Sequence, residues 1–135
     1  MAPERYSAAV ERHFRARARA GLPHGRGGVR LRGEAGSAGQ GTWIVFHARV
    51  EAGRIAELTF QAYGCPHVIA ACSRVTEQLS GALIEAIPAV DTGALMRELE
   101  IPVQKHGSLL ILQDALRNCW RDWDTRQPAT RGRSF

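Results

Sequence analysis

Lysine is nearly missing from this 135-residue chain: a single lysine stands beside seventeen arginines. A bias of that size reads as codon composition before it reads as function. Long apolar runs are missing too. A membrane-spanning helix needs roughly 20 consecutive apolar residues, and no stretch approaches that, so no membrane partner is expected. The N-terminal arginines are not followed by an apolar run of the kind a signal peptide carries, and a cytoplasmic location is expected. Cysteine is scarce and odd in number, at positions 65, 72 and 119. Three such residues follow no disulfide framework and fit reduced thiols in a cytosolic protein. Aromatic residues make up only 7%. No basic face interleaved with stacking aromatics is visible, which argues against a nucleic-acid partner.

What is present suits one soluble globular unit. The 44% hydrophobic content and the length allow a single domain with a real core. The net charge of +5 is unevenly spread. Residues 1–32 carry eight arginines against Glu4 and Glu11, and residues 124–135 carry three against Asp124. Between them, residues 33–123 hold seven basic and ten acidic residues. Basic ends on a mildly acidic body could guide docking to an acidic protein partner. The expected division is one domain over 1–123 and a basic, disordered tail over 124–135.

The stretch Phe60-Gln61-Ala62-Tyr63-Gly64-Cys65-Pro66-His67 reads as a strand end, a turn on Gly64 and a helix start. Gly64 is expected to supply a bend that a β-carbon would resist. Pro66 suits the first helical turn, where its missing N–H costs nothing. Cys65 then occupies the helix cap, where free N–H groups and the positive dipole end favour a thiolate. His67, two residues on, could add an imidazole or simply be solvated.

Tyr6, Val10 and Phe14 share one helical face, predicting a helix over 4–19. A half-exposed strand is expected near 29–34. The glycine-rich segment 33–42 then reads as a flexible connection; with no lysine after it, it is not a phosphate-binding loop. Two alternating strands follow. Ile44, Phe46, Ala48 and Val50 share one face of 43–50; Ala56, Leu58, Phe60 and Ala62 share one face of 54–62. Glu51-Ala52-Gly53 between them fits a hairpin turn. His47, Arg49, Glu57, Thr59 and Gln61 fall on the opposite, wet face, leaving the first for helices. A helix from Pro66 to about Ser80 buries Cys72, and short helices are expected near 82–87 and 91–99, the latter capped by Asp91. Ile101-Pro102-Val103 reads as an extended link. Lys105-His106-Gly107-Ser108 opens a last helix with Ser108 as its cap. Its buried stripe is Leu109, Leu112, Leu116, Cys119, Trp120 and Trp123.

Taken in order, these pieces resemble the U-type iron–sulfur cluster scaffolds, the IscU and NifU N-terminal family, over roughly 4–123. The resemblance rests on Tyr6-Ser7, His13-Phe14, Gly53-Arg54-Ile55, Phe60 through Cys65, Ile69-Ala70, Thr76-Glu77, Ile101-Pro102-Val103, His106 and Asp114-Ala115-Leu116. It implies an α+β fold: a three-stranded antiparallel sheet with helices packed on one face. It also implies a metal or cluster site at one end, drawn in the family from three cysteines, an aspartate and a histidine. Cys65 and His106 match two of those ligands. The family's Cys-Gly-Asp turn corresponds to Gln40-Gly41-Thr42, and its third cysteine to Gly107, so those donors are gone. The altered Glu100-Ile101-Pro102-Val103-Gln104 also departs from the chaperone-binding stretch of the IscU branch.

Iron–sulfur clusters and structural zinc generally take four protein ligands, and Gln40 and Thr42 are poor ones. Three readings follow. The first is a scaffold-like protein that binds iron, zinc or a cluster through Cys65 and His106, with His67 as a candidate third ligand. The cargo would be held weakly or shared with a partner, a second copy included. The second is a non-catalytic paralogue that binds a cysteine desulfurase or another assembly factor without metal. The third is a Cys65–His106 thiol or sulfur-acceptor enzyme. The first is preferred, and it is not an enzyme.

Overall fold

A computed structural model describes residues 6–16 and 21–126, with side chains throughout except at 13–16. Among these residues, three strands, β1 (Val29–Ser37), β2 (Thr42–Glu51) and β3 (Arg54–Tyr63), form an antiparallel sheet in the order β1-β2-β3. The α-helices are α1 (Ala8–Ala16), α2 (Pro66–Leu79), α3 (Thr92–Leu99) and α4 (His106–Thr125). The architecture is the expected α+β arrangement. The predicted ends of the first helix, at 4–5 and 17–19, lie outside the described residues, as does the predicted tail from 127 on. At its near end that tail is helical, since α4 continues through Asp124 and Thr125.

β2 and β3 meet in a turn where Ala52 and Gly53 both have positive φ, 52° and 74°. That geometry matches the twist of the flanking strands. From β2, Ile44, Phe46, Ala48 and Val50 all enter the core. β3 departs from simple alternation. Arg49 faces Glu57 while Val50 faces Ile55, so Ala56 is skipped in the pairing. The bulge turns fully buried Ile55 inward and leaves Ala56 exposed, reversing the expectation for Ala56.

β1 runs on through Ser37, so the first half of the glycine-rich segment is strand and not a flexible connection. Gly33 explains how. A β-carbon there would lie 2.2 Å from the amide nitrogen of Cys119 and 2.3 Å from the carbonyl oxygen of Ala115. Glycine therefore lets β1 rest directly on the backbone of α4. Ser37 then caps a 3-10 turn, Ala38–Gln40, by accepting from the Gln40 N–H, and Gly41 leaves it in the left-handed region at φ 89°. The segment 82–87 likewise contains only a 3-10 turn, Ile84–Ala86, and the expected extended link gives way to another at Val103–Lys105.

α2 and α4 cover the inner face of the sheet, with Val68, Cys72, Val75, Leu109, Leu112, Leu116 and Cys119 in the core. Trp120 and Trp123, expected to be buried, are half-buried against it. Both sheet edges have hydrogen-bond partners. On β1, the Arg32 N–H donates to the Asp122 carboxylate (3.0 Å) and the Asn118 amide donates to the Glu34 carbonyl (2.8 Å). On β3, Gly21 donates to the Phe60 carbonyl, while Ile55 donates to Ala82 and accepts from Gly81.

The outer face is not uniformly wet. Residues 21–28 cross it, held where the Glu57 carboxylate accepts the N–H groups of His24 (2.7 Å) and Gly25 (2.9 Å). Arg49 donates to Glu57 and to the Arg26 carbonyl. Thr59, placed by alternation among wet residues, is only 5% exposed, and Val45 on the same face is fully buried. His47 and Gln61 stay at the surface and pair with each other at 3.1 Å.

Candidate metal centre

Cys65 is the N-cap residue of α2, extended at φ −75° and ψ 168°, with Pro66 opening the helix behind it. Its carbonyl accepts from the N–H groups of Val68 and Ile69, at 3.0 and 3.1 Å. Its side chain makes no capping bond and lies half-buried against the edge of the core. Gly64 fixes the approach by contact and not by an unusual backbone angle. A β-carbon there would meet Val68 at 3.3 Å, and its φ is not positive.

His67 is brought beside the sulfur. Its Nδ1 lies 4.0 Å from Cys65 Sγ, at the outer limit for a sulfur–nitrogen hydrogen bond. The imidazole is not solvated: it is 1% exposed. Tyr6 covers it, with ring centroids 4.7 Å apart and planes inclined by 63°. Ser7 anchors the start of α1, accepting from the Val10 N–H and donating to the Leu99 carbonyl at 2.6 Å. The N-terminal helix thus sets the position of a side chain far along the sequence. Sequence reasoning missed Tyr6 in this role. Its place on an apolar stripe marked it as inward-facing but could not say against what.

His106 is the exposed first residue of α4. The cap of that helix is Lys105, which makes no side-chain capping bond, so Ser108 is not the cap expected from sequence. Ser108 instead reaches across the fold, where Thr42 Oγ1 and Ser108 Oγ lie 3.4 Å apart. This contact joins the Gln40-Gly41-Thr42 turn to the start of α4. The register pairs Trp43 with Tyr63, which puts the β3 end leading to Cys65 beside the same turn. The predicted segments therefore gather at one end of the sheet.

The donor set there is thin. Among the described residues, no three His, Cys, Asp or Glu side chains converge as a metal-holding group. Thr42 is turned to Ser108, Gln40 offers an amide, and Gly107 offers no side chain. Cys72 and Cys119 cannot help. Both are buried in the core, where desolvation raises the Cys72 thiol well above its ordinary range and, with Asp122 nearby, pushes Cys119 up to about 12. Of the other histidines, His24 is engaged through its backbone on Glu57 and His47 through Gln61. The His13 side chain lies outside the described residues. Among the described residues, a four-donor iron or zinc site is not completed.

The family model described as NifU-like N terminal domain matches residues 5–130. Among curated proteins, the chain is 36% identical over 129 residues to the bifunctional protein NifU/MnmA of Rubrobacter xylanophilus, covering 93% of this chain and 26% of that one. It is 30% identical over 77 residues to the iron-sulfur cluster assembly scaffold protein IscU of Escherichia coli, covering 57% of this chain and 60% of that one. The chain thus spans less than two thirds of either relative. In three dimensions it is similar to the N-terminal nitrogen-fixing NifU-like protein from Brucella abortus. There the TM-score is 0.70 at 16% identity, covering 90% of this chain and 95% of that one, which speaks to the fold alone.

Proposed function

The chain belongs to the NifU-like N-terminal domain family, and on that premise we propose that it is a non-catalytic, scaffold-type protein of iron–sulfur cluster assembly with a reduced ligand set. Iron, zinc or an iron–sulfur cluster is its cargo. Cys65 supplies the thiolate, with His106 or His67 as the nitrogen donor, and the remaining donors come from a partner, either a cysteine desulfurase or other assembly protein or a second copy. The observation that carries this reading is the half-buried Cys65 sulfur at the head of α2, 4.0 Å from the His67 ring. The side chain makes no capping bond there, so the sulfur is not spent on its own helix.

The described residues fall short of four donors, so a cargo bound here is weakly held or shared. Elemental analysis of freshly purified protein, repeated on Cys65→Ala, tests the assignment. Iron or zinc is expected in wild type and absent in the variant; equal content in both would remove Cys65 from the site. Anaerobic reconstitution with iron and sulfide is expected to give less than one cluster per monomer. A second reading is favoured by the same missing donors: a paralogue that binds the desulfurase without metal. It predicts no metal in either protein.

A further inference from the structure

We propose that a cleft on the outer face of the sheet, away from Cys65, binds a small organic monoanion, a carboxylate carrying a short hydrocarbon body. The cleft holds about 230 Å³ and is lined by Leu22, Pro23, Arg30, Leu31, His47 and Ala48. Leu22 and Pro23 come from the segment that crosses this face, Arg30 and Leu31 from β1, and His47 and Ala48 from β2.

The charged groups nearby are unequally satisfied. Arg49 is paired with Glu51 and Glu57, and Arg32 with Glu34. Arg30 has no carboxylate among the described residues; its guanidinium donates only to the Gly25 carbonyl. Four of its five N–H donors are left over. A guanidinium fork and a carboxylate match in a bidentate pair. Across the strand pair from His47 lies Thr59, whose hydroxyl is buried with no hydrogen-bond partner. Thr59 is not among the residues that line the cleft, so Arg30 is the open polar group there.

The remaining wall is apolar. Leu22 is 56% exposed and, with Pro23, forms one side of the opening. A bare phosphate would leave that side unused and would set two negative charges against one open guanidinium. A neutral hydrocarbon would leave Arg30 unused. The volume lies below the roughly 300–1,000 Å³ of sites for drug-sized ligands, which limits the ligand to a few carbons beyond the carboxylate.

The test is an NMR titration of the full chain with hexanoate, with hexan-1-ol and inorganic phosphate as comparisons. Hexanoate should move the Leu22 methyl and His47 ring resonances saturably, and at least tenfold more tightly than either comparison. Arg30→Gln should weaken hexanoate binding about tenfold, the loss expected for one charge-assisted pair. Should that variant fail to fold, Leu22→Ser should weaken hexanoate binding while leaving phosphate unaffected. No binding of hexanoate overturns the proposal. So does hexan-1-ol or phosphate binding as tightly as hexanoate, or an Arg30→Gln protein that binds like wild type.

Discussion

At Gly33 two backbones press against each other, and no side chain can be inserted without moving one of them. Gly33→Ala would drive a methyl to within 2.2–2.3 Å of α4 main-chain atoms. Overpacking against rigid partners costs about 1–3 kcal/mol and at times more, and here the partner is backbone. We expect a loss of about 3 kcal/mol in urea denaturation; a variant as stable as wild type would mean that β1 and α4 are further apart. The three thiols give a second prediction at this scale. Cys65 is half-buried, whereas Cys72 and Cys119 are buried and resist ionisation. Iodoacetamide at pH 8 should add one adduct per native chain, on Cys65, and three after unfolding. A second adduct on the native protein would refute the burial of Cys72 and Cys119. Residue chemistry was only partly legible in the sequence. Cys65 could be read because glycine, cysteine and proline act on one another locally. The burial of His67 could not, because Tyr6 approaches it from the other end of the chain.

The segment over the outer face depends on one carboxylate. The His24 N–H, followed by the Gly25 N–H and Arg49, holds the Glu57 carboxyl below its ordinary value of 4.5. A depressed folded-state pKa contributes stability that is present above the unfolded value and is lost as pH falls through the folded one. Glu57→Gln should therefore speed amide hydrogen exchange at His24 and Gly25 at pH 7, and the difference from wild type should shrink as pH drops below about 4.5. Equal exchange at pH 7 would show that the carboxylate does not hold the segment. At the end of α3, Glu100 sits in the left-handed region at φ 54°. Glu100→Gly should relieve that strain and stabilise the fold by about 0.5–1 kcal/mol in thermal or urea melts, net of the added freedom of the unfolded chain. Strand and helix placement was legible wherever periodicity ruled, as along β2 and α2. It failed at Ala56, where a bulge resets the alternation, and in the 33–42 segment, where glycine marks a close approach and not flexibility.

For the molecule as a whole, the core and the proposed cargo site lie in different places. The core between the sheet and α2 and α4 is continuous, and Cys65 only packs half-buried against its edge. Cys65→Ala should therefore melt within about 2 °C of wild type, since a change well under 1 kcal/mol shifts a domain of this size by no more than that. A collapse on that substitution would make the Cys65 side chain part of the fold. The margins of the sheet carry a further consequence. Asn118 and Asp122 occupy the outer side of β1, and Gly21, Gly81 and Ala82 occupy that of β3. Each border is occupied at these points, which narrows the room for a guest strand. A protein that docks along these borders meets side chains and turns instead of a free strand, so its selectivity there can be rewritten by point substitutions without disturbing the sheet.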